Sequence, residues 1–336
     1  MKKDDVIIIN KLLNKIDLNS NESKNLIKNI LNSNFNEIQT GIILTLLNTK
    51  KESLTEIYSF VEHLRSLATK LKLKGDLMDT CGTGGDNKNS FNFSTATSIL
   101  LSTFDINIAK HGNRSVTSKS GSFDVLESLG IKITSNLKSL ERYYQKHNIC
   151  FLYAPFFHSS LKTVANIRKS IPFKTIFNLL GPLLNPVKLK YQLLGVSKIE
   201  NLSTHAECLK KMGLKKAWVV FNEDGYDELT TTSKNFYIEV NRNQIKSKKI
   251  IDPEKLGFKK RKEKDLLGGT PEENAFLMKR LFEGETGAIR DNVVLNTAAA
   301  LIICEKAKSL KEGIKKAEEK IDSGLAKQKL KQLIKC

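Results

Sequence analysis

From about Gly75 onward the chain alternates short apolar runs, polar loops and helical stretches, and this alternation restricts the fold more than any other feature. Strands are read at 77–80, 106–109, 149–153, 193–196 and 217–221, with helices between them at 93–103, 123–129, 159–170 and 202–212. Strands joined through helices pair in parallel, and the helices cover the faces of the sheet. Segments 237–240 and 249–251 suit an antiparallel excursion. Thr270-Pro271-Glu272-Glu273 opens a further helix with proline at its first position. Helices at 291–307 and 310–334 close the chain.

Before residue 72 the pattern is helical throughout. Apolar residues recur at helical spacing over 6–16, 24–31, 38–47 and 54–71. Asn34-x-x-Glu37 and Ser53-x-x-Glu56 have the form of reciprocal helix caps. The expected fold is therefore α/β: a small all-helical N-terminal domain over 1–72 and a larger domain over 73–336 with a mostly parallel central sheet. The segment 171–186, with Pro172, Gly181, Pro182 and Pro186, is foreign to the α/β pattern. A stretch near 167–188 is expected to return to the helical domain. A length of 336 residues suits two domains.

Charge adds a second constraint. Fifty-five basic and 36 acidic residues give a net charge of +19, which invites an anionic partner: nucleic acid, anionic lipid or a small phosphate-rich substrate. Of the basic residues 47 are lysine and eight are arginine, so the surplus fits solvated surface equally well. The five cysteines (Cys81, Cys150, Cys208, Cys304 and Cys336) contain no CxxC pair, which argues against a zinc site and fits a reducing cytoplasm. Lys2 and Lys3 are followed at once by Asp4 and Asp5, and the apolar run 6–9 is too short for a signal sequence. No segment approaches 18 consecutive apolar residues.

Four places carry chemistry. At Asp79-Thr-Cys-Gly82-Thr-Gly84-Gly85-Asp86 a strand ends in a glycine turn, and Ser90-Phe-Asn92-Phe93-Ser94-Thr95 opens a helix. Glycines let successive amides face one anion, and the helix terminus adds its free N–H groups. An ordinary capped turn would also fit. Lys110-His111-Gly112-Asn113-Arg114, continuing through Ser118-Lys119-Ser120-Gly121-Ser122, is a second polar loop between strand and helix, denser in donors than a turn needs. His111 alone suits a structural hydrogen bond as well as a catalytic role. Asn222-Glu223-Asp224-Gly225-Tyr226-Asp227-Glu228 follows a strand, where paired carboxylates suit Mg²⁺ or simply a solvated turn. Arg168 offers a fork for a small carboxylate, or a plain surface charge. Together these describe two phosphate cradles, a divalent-cation site and a pocket for a small acid.

On these residues the chain resembles the anthranilate phosphoribosyltransferase family. GTGGD and the NxST after it, KHGNR with SxKSGS, DVLESLG, NLLGPLLNP, QLLGV, the DEL after Gly225 and RDNVVLNTAAAL match in order over nearly the whole chain. The resemblance implies transfer of the phosphoribosyl group of phosphoribosyl pyrophosphate (PRPP) to the amine of anthranilate, with inversion. It also implies two Mg²⁺ ions and a homodimer formed through the helical domains, with neither nucleic acid nor membrane as partner. Carried over, PRPP falls to Gly82, Gly85, Asp86, Ser90, Asn92, Phe93, Ser94, Thr95, Lys110, His111, Gly112, Asn113, Ser118 and Ser122. Anthranilate falls to Gly82, Asn113 and Arg168, and metal to Ser94, Asp227 and Glu228; no discrete general base is expected. Arg114 and Lys119 are further basic residues expected to face substrate. Phe123, Cys81 and Ser159-Ser160 depart from the family pattern, Phe123 beside the phosphate cradle. A nucleoside phosphorylase of related fold and a nucleic-acid-binding relative are the competing readings.

Overall fold

A computed structural model describes residues 3–115 and 119–335. The chain forms two compact units, Met1–Lys70 with Ala154–Pro186, and Leu71–Tyr153 with Val187–Cys336. The segment that returns to the first unit thus begins at Ala154, earlier than the 167 read from the sequence.

In the first unit four helices, Lys3–Leu13, Ser20–Leu31, Glu37–Lys50 and Leu54–Leu67, bury one face each. Ile8, Leu12, Ile27, Ile43, Leu44, Phe60 and Leu64 are almost fully enclosed. Reciprocal caps at Asn19–Glu22, Asn36–Gln39 and Ser53–Glu56 fix three of the helix starts. The cap expected at Asn34 lies instead at Asn36. Both asparagines carry an acid or amide three residues on; the helix starts at Glu37, two residues after the start a cap at Asn34 implies, with Phe35 buried just ahead of it. The returning segment is held by Phe177 against Phe60, with ring centroids 6.4 Å apart. Two hydrogen bonds to backbone carbonyls add to this, Thr69 N–H to Phe157 at 2.9 Å and the Arg65 side chain through Nη1 to Asn185 at 2.6 Å. The helix read over 159–170 is a 3-10 turn, Ser159–Val164, followed by a short α-helix, Ala165–Ser170.

The second unit is built on one sheet of eight strands: β1 Leu77–Gly82, β2 Asn107–Gly112, β3 Ile149–Tyr153, β4 Tyr191–Gly195, β5 Lys216–Asn222, β6 Asn235–Asn241, β7 Gln244–Ile245 and β8 Lys249–Ile251. The order is β3-β2-β1-β4-β5-β6-β7, with β8 also on β6. Strands β1 to β5 are parallel and the pairing turns antiparallel at β6, which is the excursion expected from the sequence. Helices Phe93–Leu101 and Ala288–Ile303 pack on one another and are buried along most of their lengths. Helix Leu137–His147, missed in the sequence, starts at the Asn136 cap and buries Leu140, Tyr144 and His147 at helical spacing. The helix read over 310–334 is two, Leu310–Asp322 and Leu325–Ile334, separated at Gly324. Among the described residues no helix is long and apolar enough to cross a membrane.

Candidate active site

The chain runs from β1 to β2 and β3 on one side, and through β4 to β5 on the other. In an open α/β sheet such a reversal leaves a crevice at the carboxyl ends of the two central strands, where ligands bind. Here those ends are Gly82 and Gly195, which stand opposite each other in register. A Cβ on Gly82 would lie 2.1 Å from Asp227 Oδ2, and one on Gly195 would lie 1.6 Å from the Asp227 carbonyl oxygen. The two glycines form a notch, and Asp227 sits in it. Gly195 entered the sequence reading only as part of the QLLGV motif, with no role, since nothing local marks it as facing Asp227.

The glycine loop after β1 closes on the same carboxylate. Gly84 N–H donates to Asp227 Oδ2 at 2.6 Å, and Thr83 N–H donates to the Gly195 carbonyl at 2.9 Å. Gly84 and Gly85 take φ of 71° and 67°, which a side chain would oppose. Asp86 accepts from Lys88 N–H through Oδ1, while its buried Oδ2 finds no donor among the described residues. Lys88 Nζ pairs with Glu263 at 2.7 Å and lies 4.9 Å over the Tyr226 ring, tying this loop to the segment that carries Asp227. Ser90 bridges to Leu267.

Asn92 does not cap the helix that follows it. Its Nδ2 donates to the Ser120 carbonyl at 3.2 Å and its Oδ1 accepts from Asn274 at 2.9 Å, so it joins the two polar loops to helix Pro271–Phe282. The first turn of helix Phe93–Leu101 is met instead by Glu228, whose Oε1 accepts from Ser94 N–H at 3.3 Å. Phe93 is fully buried against Phe91. The Thr95 hydroxyl is enclosed, with no partner among the described residues.

From β2, Lys110 reaches the same place. It is 2% exposed; its Nζ donates to the Thr80 carbonyl at 2.6 Å and to Ser94 Oγ at 3.3 Å. His111 is buried, and its N–H donates to Asp79 at 3.3 Å. Beyond Gly112, exposed Asn113 accepts through its carbonyl from Ser122 Oγ at 3.1 Å, and Asp124 accepts from the N–H groups of Ser115 and Gly121. Ser118 lies outside the described residues. Arg114, expected to face substrate, is tied to Glu127 at 2.7 Å over the Tyr153 ring, and Lys119 is exposed. Phe123 turns wholly into the core against Tyr153, so its bulk is taken up by packing. Cys81 accepts from Gln192 Nε2 at 3.3 Å. Arg168 belongs to the helical unit. It is half-buried, 5.3 Å over the Phe177 ring, and forms no ion pair with a described residue; burial lowers its affinity for its proton.

The electrostatics are those of carboxylates buried close together. Burial, then the charge of Asp86, raises the pKa of Asp227 above the carboxylate range, opposed by the Gly84 N–H. Burial, then the charge of Asp227, raises that of Glu228, opposed by Lys110. Asp86, Asp227 and Glu228 thus crowd one another, and Lys110 eases the last of them. Two buried carboxylates beside an orphaned carboxylate oxygen and a serine hydroxyl are the hard oxygen set that Mg²⁺ takes, together with substrate phosphates.

The switch-point crevice thus brings together a glycine-rich loop, a buried lysine and a carboxylate pair, and the chain is of the glycosyl transferase class. The family described as "Glycosyl transferase family, a/b domain" matches residues 74–327, and its "helical bundle domain" matches residues 6–68. An anthranilate phosphoribosyltransferase of Petrotoga mobilis is 42% identical over 327 residues, 97% of this chain and 95% of its own. The crystal structure of the Thermus thermophilus enzyme superposes with a TM-score of 0.90 at 33% identity, covering 97% of this chain and 98% of that one. A Saccharomyces cerevisiae enzyme in complex with PRPP and Mg superposes at 0.90 and 28% identity, covering 98% and 96%. The same yeast enzyme with 4-fluoroanthranilate gives 0.87 and 27%, covering 97% and 96%. The chain belongs to the anthranilate phosphoribosyltransferase family.

The notch makes a prediction that needs no substrate. Gly195→Ala forces the Asp227 backbone out of place and is expected to destabilise the protein by about 1–3 kcal/mol in urea unfolding. Gly41→Ala, on helix Glu37–Lys50 with nothing within 4 Å of the added Cβ, is expected to be neutral or to stabilise by up to about 1 kcal/mol. Equal effects at the two positions would show that the notch is not tightly filled.

Proposed function

We infer that this chain transfers the phosphoribosyl group of PRPP to the amine of anthranilate, releasing pyrophosphate and forming N-(5-phosphoribosyl)anthranilate, a step of tryptophan biosynthesis. The observation that carries the reading is the meeting of Asp227, Glu228, Lys110 and the glycine loop at the sheet's switch point. Mg²⁺ is the metal, as in the yeast relative. We assign it to Ser94, Asp227 and Glu228, as two ions, the number the family resemblance implies.

When bound, Mg²⁺ would neutralise the pyrophosphate and stabilise the charge it gains on leaving. The chain's own residues do the rest. The turn through Gly82, Gly85 and Asp86 and the opening of helix Phe93–Leu101 at Ser90, Asn92, Phe93, Ser94 and Thr95 offer amides and hydroxyls to phosphate oxygens. Lys110 adds a desolvated positive charge beside Ser94, and His111, Gly112, Asn113, Ser118 and Ser122 line the second loop. Gly82 and Asn113 are assigned to anthranilate, and Arg168 to its carboxylate. As the C1–O bond breaks, positive charge grows on the sugar and negative charge on the leaving group. Attack by the amine from the opposite face inverts C1. No residue is assigned as general base; fixed positions and fixed dipoles carry the rate. Cys81, Cys150, Cys208 and Cys304, none of them in a disulfide among the described residues, support a reducing cytoplasm.

The helical unit exposes Val6, Ile7 and Leu13 on its first helix and Ile38 and Ile42 on its third, and these two helices pack together. This apolar face supports a homodimer.

Anthranilate fluorescence should fall when the protein meets anthranilate, PRPP and Mg²⁺, and a nucleoside with phosphate should be left intact; the reverse would overturn the assignment. Asp227→Asn with Glu228→Gln should lower kcat by roughly 10²–10³-fold or more with the circular dichroism unchanged. Activity near wild type at saturating Mg²⁺ would remove the pair from the metal site. Arg168→Ala should raise KM for anthranilate roughly 10-fold or more and leave KM for PRPP within about twofold; an unmoved anthranilate KM would place the carboxylate elsewhere. Light scattering should give about twice 37.8 kDa, and Ile38→Asp with Ile42→Asp should bring it to one chain. A monomeric wild type would refute the dimer.

A further inference from the structure

The Asp227-Glu228 pair lies on a turn with no regular structure, between β5 and β6. The next three residues are buried, and their backbone N–H groups have neither helix nor strand to accept them. Each is taken by a buried asparagine side chain. Leu229 N–H donates to Asn296 Oδ1 at 3.2 Å, Thr230 N–H to Asn235 Oδ1 at 2.9 Å, and Thr231 N–H to Asn292 Oδ1 at 2.8 Å. The grip is two-sided at two of these positions. Asn296 Nδ2 returns a bond to the Leu229 carbonyl at 2.7 Å, and Asn235 Nδ2 returns one to the Thr230 carbonyl at 2.9 Å. Asn292 also accepts the Thr231 hydroxyl at 2.8 Å. Asn292 and Asn296 are one turn apart on helix Ala288–Ile303, and Asn296 Nδ2 donates to the Asn292 carbonyl at 2.8 Å. Asn235 heads β6 and is steadied by Asn222 at the end of β5.

We propose that Asn235, Asn292 and Asn296 are positioning residues that hold Asp227 and Glu228 in their metal-binding arrangement before any metal arrives. The inference rests on the reading of that pair as the Mg²⁺ site. An unsupported turn bearing crowded carboxylates would spring apart by repulsion, and the metal would have to reassemble it. Three amides fixed to a buried helix and the sheet prevent this. Removing a group that orients metal ligands typically costs about 10–100-fold in metal affinity.

Two measurements test the proposal with the full-length chain. In the metal-free wild type, hydrogen exchange of the amides at 229–231 should be as slow as in Lys216–Asn222 and should change little when Mg²⁺ and PRPP are added. Free exchange that is quenched only on adding them would overturn the proposal, since the metal would then be shaping the turn. Asn296→Leu, of similar volume, should weaken Mn²⁺ binding in the presence of PRPP by roughly 10-fold or more, read by electron paramagnetic resonance. It should raise the half-saturating Mg²⁺ concentration in parallel and leave KM for anthranilate within about twofold. A folded variant with wild-type Mn²⁺ affinity, or an anthranilate KM that rises as much as the Mg²⁺ requirement, would also overturn it. If Asn296→Leu does not fold, the exchange result decides. A wild type that consumes no anthranilate with PRPP and Mg²⁺ would refute the functional reading itself, whatever the exchange shows.

Discussion

The α/β unit is organised around one steric fact: two glycines end the central strands, and the backbone of Asp227 lies directly on them. A side chain of any size at Gly195 would meet the Asp227 carbonyl, and one at Gly82 would meet its carboxylate. The parallel sheet supplies the crevice by reversing its strand order between β1 and β4. The missing Cβ atoms let a loop from beyond β5 reach the floor of that crevice. Once there, the carboxylate is close enough to accept from the glycine loop after β1. A turn distant in sequence and the glycine loop thereby come together in one place.

That closeness has an electrostatic cost. Carboxylates taken out of water bind protons more readily, and each worsens the position of its neighbour. The structure offsets part of this with the Gly84 and Ser94 amides and with Lys110, itself almost wholly enclosed. The remainder is an unmet demand for positive charge, and on the proposed function Mg²⁺ with its phosphates would meet it. The asparagines of helix Ala288–Ile303 and β6 belong to the same account. They take up the backbone donors of the turn, so the acceptor oxygens of Asp227 and Glu228 are not drawn into repairing it.

What could be read in the sequence was what is local in it. The loops at 82–95 and 110–122 announce themselves through glycine and hydroxyl density within a dozen residues, and both lie at strand ends as read. The alternation from Gly75 fixed the sheet class, because the periodicity of each element is written in its own residues. Pairings across long separations were not legible. Gly195 matters through Asp227 and Gly82, and Asn292 and Asn296 through residues 61 to 67 positions away. An asparagine on a buried helix face carries no mark of the backbone it serves. Asn34 and Asn36 show a subtler failure, since both offer a cap with a partner three residues on, and the burial of Phe35 selects between them. Helix Leu137–His147 was legible in its Asn136 cap and its spacing of Leu140, Tyr144 and His147, and was passed over amid the polar residues around it.

The net charge of +19 looks at first like the chain's main electrostatic statement. The structure locates the useful charge elsewhere. Surface lysines act through water and are screened within about 8 Å at physiological salt. Several are already committed: Lys88 to Glu263, Lys215 to Glu305, Lys316 to Glu312, and Arg261 and Arg290 likewise to Asp291 and Asp322. Lys110, 2% exposed and beside Ser94, acts at low dielectric, where one charge outweighs many solvated ones. A small polyanion bound through fixed amides, one desolvated lysine and a metal needs no basic surface. The arginine-poor, lysine-rich surplus is therefore what solvated surface would contain, and on the proposed function the acidic turn that opposes it carries the chemistry.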